Sequence, residues 1–254
     1  MKDRGKRILT IDQGNTAAKW MLWEDGNCIK TGHSSGSLSL ENIIDSFSDI
    51  IPDGGIFCST GHTDAKFLES LRRWLDGNLI LMTPTVKLPI KVIYSHTTPP
   101  GSDRLATAVA AGTLFQGEAL LIVDAGTAIT SDITDSEGNF LGGNISPGIS
   151  LRFRSLYEGT EHRLPLLAPS TETSDFGQNT QSAIINGVMK GVIGEISFAY
   201  KMASEKYGCQ RIVVTGGDGN LIAKLLEEER LPLAYIPDLL ARGLLRIYTY
   251  NDTK

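Results

Sequence analysis

Residues 8–32 read ILTIDQGNTAAKWMLWEDGNCIKTG, and residues 120–143 read LLIVDAGTAITSDITDSEGNFLGG. Four identities share one offset: Asp12 with Asp124, Gly14 with Gly126, Gly26 with Gly138 and Asn27 with Asn139 are each 112 residues apart. Both stretches run from an apolar strand into Asp-x-Gly with hydroxyl-bearing residues, then a second strand, an acidic-Gly-Asn turn and a third strand. Asp25-Gly26 and Glu137-Gly138 suit two-residue hairpin turns, because glycine readily takes positive φ. Each copy therefore reads as a three-stranded antiparallel meander. A dinucleotide fingerprint or a Walker loop needs a helix straight after the glycine turn, so that phosphate can sit on its N-terminus. Here the chain turns back into Ala18-Lys19-Trp20-Met21-Leu22-Trp23, which is too aromatic and too tightly bounded to favour a helix.

The remainder of each half matches in outline. Helical patterns over 40–50 and 63–75 flank a strand at 56–60 that ends on Gly61. In the second half a helix over 180–206 precedes a strand at 211–215 ending on Gly216-Gly217, and a further helix follows at 219–229. An alanine-rich helix from Ser102 to Phe115 lies between the halves, which sets the boundary near residue 116 and the two domains at 1–115 and 116–254. Two βββαβα-type halves facing each other would put Asp12 and Asp124 on opposite walls of one cleft.

The totals restrict the partners. In 254 residues, 41% are hydrophobic and 21% charged, which is globular composition. A net charge of −5 gives no bulk attraction to nucleic acid or to an anionic membrane. Cys28, Cys58 and Cys209 are far apart and odd in number, so neither zinc spacing nor a disulfide framework is present, and a reducing cytosol is expected. The apolar run after MKDRGKR is too short for a signal-peptide core, and no run approaches the roughly 20 apolar residues of a membrane helix. The expected location is cytoplasmic.

A carboxylate beside a phosphate-type turn makes sense if a cation mediates. Mg²⁺ binds through one or two carboxylates plus substrate phosphates. The glycine turn supplies backbone N–H groups, and the hydroxyls of Thr16 and Thr127 can add hydrogen bonds. Lys19 either adds a point charge near the phosphates or is a solvated strand residue. Phosphoryl transfer also needs a base for the acceptor's proton. In Pro99-Pro100-Gly101-Ser102-Asp103-Arg104 a rigid turn enters a helix, with an Asp beside an Arg; Asp103 serves either as that base or as a helix cap.

The ordered set DQGNTAAK (12–19), GSDR (101–104), DAGTAITSD (124–132) and GGNISPG (142–148) resembles type III pantothenate kinase over essentially the whole chain. That family belongs to the actin/sugar kinase/heat-shock-protein superfamily. The resemblance implies an α/β fold of two duplicated ribonuclease-H-like (actin-like ATPase) domains, with mixed sheets flanking a nucleotide cleft. It implies phosphorylation of pantothenate by ATP, the first step of coenzyme A synthesis. Asp12, Gln13, Gly14, Asn15, Thr16, Ala17, Ala18 and Lys19 look like the first phosphate motif, with Asp12 near the metal-bound phosphates. Asp103 is similar to the family's catalytic base, and Gly101, Ser102 and Arg104 to the lining of its pantothenate pocket, with Arg104 pairing with the substrate carboxylate. Asp124 looks like the ligand of a monovalent cation (K⁺ or NH₄⁺), and Thr127 like an ATP-contacting threonine. Tyr94 falls where a tyrosine contacts pantothenate; read without the family it is a half-buried strand residue. Thr180 aligns with a threonine that reaches the substrate from the facing subunit of a homodimer; read alone, Asn179 and Thr180 both suit an N-cap. Three features depart from the pattern: Ser102 where alanine is usual, a TTPPGSDR approach without Asn-Pro-x-x-Val, and Gln13 in place of an aliphatic residue.

Other features read as structural. His33, His62, His96 and His162 have no metal-ligand spacing. Arg152, Arg154, His162 and Arg163 read as a solvated helix and loop, and residues 227–230 as the wet end of a helix. Thr215-Gly216-Gly217 ends a strand in a turn that adenine or ribose could approach. Two other readings stay open: a non-catalytic regulatory homologue resembling Bvg accessory factor, and a kinase for another small hydroxy acid or sugar.

Overall fold

Strand β1 (Arg7–Gln13) turns Leu9 and Ile11 to one packed face and Ile8 and Thr10 to the other, as the two-residue period of a pleated strand requires. The computed structural model describes residues 4–36, 38–48, 50–61, 63–94, 98–161, 164–172 and 174–252. Elements are numbered in chain order. Antiparallel β2 (Ala18–Glu24) and β3 (Asn27–Ser34) form the meander with β1, while β4 (Gly54–Ser59) and β5 (Leu79–Leu81) join in parallel, giving the order β3-β2-β1-β4-β5.

Helices α1 (Leu40–Phe47) and α2 (Ala65–Trp74) cover the Leu9/Ile11 face through Ile43, Phe47, Phe67 and Leu71. The opposite face packs Ile8, Ile56 and Cys58 with Ala106 and Val109 of α3 (Ser102–Leu114) and with Leu244, Ile247 and Tyr248 of α7 (Leu239–Asn251). Where α7 crosses α3, a Cβ on Gly243 would run into the Ala106 carbonyl, so the two backbones touch.

The second sheet repeats the plan. Its order is β10-β9-β6-β7-β8, from β6 (Leu120–Ala125), β7 (Ala128–Thr134), β8 (Phe140–Pro147), β9 (Arg211–Thr215) and β10 (Leu233–Tyr235). One face packs against α4 (Ile149–Gly159), α5 (Thr180–Tyr207) and α6 (Gly219–Glu228), through Phe153, Val188, Val192, Ile196, Ile222 and Leu226 among others. Contacts divide the chain into residues 1–110 with 238–254, and residues 111–237. The second unit therefore ends before α7, whereas the boundary read from sequence gave it everything after 116. The reason is that α7's apolar residues fill the Ile8/Ile56 face of the first sheet.

The duplication extends to details. β2 and β7 each carry an irregularity in their outer pairing, at Leu22/Trp23 and at Ile133/Thr134. Of the two hairpin turns, only the second differs from expectation. Asp25 (φ 51°) and Gly26 (φ 79°) form the two-residue turn, but the second loop spans Asp135–Asn139, and only Gly138 in it has positive φ. There the Asp135 carboxylate accepts from the Glu137 and Asn139 amides at 3.0 and 2.8 Å. In the inner turns, Gln13 pairs with Ala18 and Ala125 with Ile129, so the first turn is one residue longer.

Candidate active site

In the first unit, β1 delivers Asp12 to the end of the sheet. Asp12 lies in register with Lys19 on β2 and with Cys58 on β4. The turn beyond is closed by the Gly14 amide donating to the Ala17 carbonyl at 3.0 Å, with Asn15 and Thr16 exposed and Ala18 buried at the head of β2. The Thr60 amide donates to the Gln13 carbonyl at 3.1 Å, and the Thr63 hydroxyl lies 3.3 Å from Gln13 Oε1. Gln13 thus ties the turn to the loop after β4. Lys19 is exposed.

Helix α3 begins at Ser102, so Asp103 sits in its first turn. One oxygen, Oδ1, accepts from the Arg104 amide at 2.9 Å and lies against Gly101, where a Cβ would meet it. Glycine at 101 leaves room for the carboxylate. The two readings of Asp103 are compatible, since one carboxylate oxygen satisfies a helix N–H and two lie near the positive helix end. Arg104 is buried, with its guanidinium 6.0 Å from the centre of the Tyr94 ring. A desolvated guanidinium beside an aromatic face suits a carboxylate ligand. The Cys58 thiol ties β1 to α3: burial first, and then the charges of Asp12 and Asp103, push its pKa up.

In the second unit, Asp124 is the penultimate residue of β6, in register with Thr130 of β7 and Thr215 of β9. The Gly126 amide donates to the Ala128 carbonyl at 3.0 Å, leaving Thr127 exposed at the tip. Gly148, from the GGNISPG segment, donates its amide to the Thr127 carbonyl at 3.0 Å, and a Cβ there would strike the Gly126 carbonyl. Gly216 has φ +96°, and a Cβ on it would lie 2.5 Å from Asp124 Oδ1. Glycine is needed at both positions, because two backbone segments meet the turn at contact distance.

Thr180 lies at the start of α5, also in the second unit. Asn179 is the N-cap: its Oδ1 accepts from the Ser182 amide at 2.9 Å, and Ser182 Oγ accepts from the Asn179 amide at 3.2 Å. Thr180 is thereby released from capping and lines a cavity of about 650 Å³ with Arg152, Ser155, Leu164 and Val188. Arg152 differs from the solvated reading: it is half-buried, 2.5 Å from Glu195, and donates to the Pro147 carbonyl at 2.8 Å. His62, His96, His162 and Arg163 lie outside the described residues. Among the described residues, no group of three or more His, Cys, Asp or Glu could hold a metal, and no helix is long and apolar enough to cross a membrane.

A sequence profile of the type III pantothenate kinase family matches residues 8–201. A type III pantothenate kinase of Porphyromonas gingivalis is 36% identical over 251 residues, covering 96% of this chain and 98% of that protein. The chain belongs to the type III pantothenate kinase family. It is accordingly a phosphotransferase that uses ATP, with a divalent metal, to phosphorylate pantothenate in coenzyme A synthesis. Among solved structures, a conserved Campylobacter jejuni protein described as a Baf family transcriptional activator is 26% identical, with TM-score 0.63 over 97% of this chain and 100% of that one. A Listeria monocytogenes protein described as an N-acetylmannosamine kinase shares the fold, with TM-score 0.54 at 13% identity over 96% of this chain and 98% of that one. The chain's two mixed five-stranded sheets thus belong to an α/β fold that this Listeria protein shares.

Two residues of this pantothenate kinase fold gave no sequence signal. Cys58 read only as one of three scattered cysteines. Asp218 followed a glycine pair without forming a motif; it stands at the N-terminus of α6, its side chain makes no cap hydrogen bond, and burial raises its pKa. Its amide donates to the Ala125 carbonyl at 2.9 Å, one residue from Asp124. The raised pKa means that the folded state pays for the ionised form. Asp218→Asn should therefore unfold at higher temperature than the wild type near neutral pH. That gain should shrink as pH falls through the raised folded value and vanish below the ordinary carboxylate value, where both states are protonated. Thermal melts of the two proteins across pH 3–8 check the sign.

Proposed function

We propose that Asp103 is the general base of the pantothenate kinase reaction and that Asp12, with the turn through Lys19, attends the metal-bound phosphates of ATP. The observation that carries this reading is that Asp12 lies in register with Cys58, which packs against Ala106, one turn along α3 from Asp103, all within one unit. A carboxylate near the end of β1, beside a glycine turn with exposed Asn15 and Thr16, has the donor chemistry for Mg²⁺ shared with phosphate, and the ion would supply charge neutralisation at the transferred group. The acceptor hydroxyl loses its proton to Asp103 as its oxygen bonds the γ-phosphorus and the bond to ADP breaks. The Arg104 amide holds one Asp103 oxygen while the proton arrives. Gly101 and Ser102 line the substrate pocket, the Arg104 guanidinium takes the pantothenate carboxylate, and the Tyr94 ring flanks it.

In the second unit, Thr127 contacts ATP and Asp124 holds a monovalent cation. Support comes from the oxygen donors beside it: the Asp124 carboxylate and the Ala125 carbonyl both lie against Gly216. Oxygen donors of this kind suit K⁺. A cytoplasmic homodimer completes the reading. Thr180, Gly187, Gly191, Gly194, Phe198 and Met202 follow one another at helical spacing along α5, all exposed. Such a stripe suits a second copy, from which Thr180 would reach the substrate. A sedimenting mass of a single chain would remove the dimer from this scheme.

One observation favours a second reading, a regulatory homologue that binds without turnover: the likeness to the Baf family protein of Campylobacter jejuni. Retention of Asp12, Asp103, Asp124 and Thr127 speaks against it. ADP release that requires pantothenate, Mg²⁺ and K⁺ is the deciding measurement, and its absence would favour the regulator. Asp103→Asn should keep the fold and ATP binding while kcat falls by on the order of 10²–10⁴. A near-normal kcat would exclude Asp103 as the base. In Asp124→Ala the dependence of the rate on K⁺ should weaken or vanish.

A further inference from the structure

Cys58 is fully buried on β4, one strand over from Asp12 and in parallel register with it. It shares a packed cluster with Ala106 and Val109 of α3. Ala106 is three residues after Asp103, so the turn of α3 that packs toward Cys58 also carries Asp103 on the same side. Ala106 is also held by the backbone crossing at Gly243. The thiol therefore lies beside the strand that carries Asp12 near its end and packs against the helix that carries Asp103 in its first turn. Between that strand and that helix, a neutral spacer of fixed size sets how near the two carboxylates, which repel, approach each other. Cysteine fills such a gap as a small hydrophobe, intermediate in size between alanine and valine.

Resting on the assignment of Asp103 as base, we propose that Cys58 is a positioning residue that sets the distance of the Asp103 carboxylate from Asp12 and the phosphates it attends. It touches neither substrate nor metal. A larger side chain at 58 lifts the first turn of α3, and a smaller one lets it settle. Displacement of a reacting group by about 1 Å costs up to about 10²-fold in rate.

The test is a double-mutant cycle on the full-length enzyme with pantothenate and MgATP. Cys58→Val should lower kcat by about 10–100-fold, with KM for ATP and for pantothenate within about 2-fold of wild type. In an Asp103→Asn background the same substitution should change kcat by less than about 2-fold, because the positioned base is already gone. Cys58→Ser, closest in shape, should recover most of the wild-type kcat, and it carries the same cycle should the valine variant fail to fold. Equal proportional losses in both backgrounds would identify plain destabilisation and overturn the inference. So would a rise in KM with kcat unchanged, or wild-type kinetics in folded Cys58→Val. A near-normal kcat in Asp103→Asn alone overturns the base assignment first, and the inference falls with it; that outcome is read before any Cys58 variant is compared.

Discussion

The parallel pairing of β1 with β4 is the constraint on which the first unit depends. It is buried on both faces, so neither strand can slip by one residue without turning Leu9, Ile11 and Phe57 out of one core and Ile8, Ile56 and Cys58 out of the other. That register fixes Asp12 opposite Cys58, and it lets Gln13 accept from the Thr60 amide at the sheet's end. Everything polar in the unit's site hangs on a ladder whose alignment is set by apolar packing. The carboxylate is placed by residues that have no chemistry of their own.

The second unit solves the same problem with different parts. β6 pairs with β9 in parallel and brings Asp124 beside Thr215, as β1 and β4 bring Asp12 beside Cys58. There, however, the turn is braced by backbone: Gly148 and Gly216 come so close that a methyl group would collide. The first turn is braced by a backbone bond from Thr60 to Gln13 and by a side-chain contact between Thr63 and Gln13. The one-residue difference in turn length and the longer Asp135–Asn139 loop show how two copies drift apart while the strands between them stay in step.

Much of this was legible in the residues themselves. The two meanders, the helices of both halves and the strands before Gly61 and Gly216 follow from hydrophobic period and turn chemistry, which act locally. The shared offset of 112 pointed to duplication because independent turns would not keep the same spacing. What escaped was non-local. The membership of α7 in the first unit was hidden, because its apolar stripe says that it must be buried but not against which sheet. The length of the second hairpin was hidden too, since Asp135 competes for the amides that a two-residue turn would have used.

The sequence by itself determined the duplicated α/β plan, the phosphate-type turns and the family, since ordered short motifs survive as residue identities along the chain. Only the tertiary structure decided that Asn179 caps α5 in place of Thr180, that Arg152 is paired with Glu195, and that Cys58 lies in register with Asp12 and packs against α3. These depend on which atoms meet across distant segments, and a side chain's partner is set by packing and register, neither of which a single position encodes.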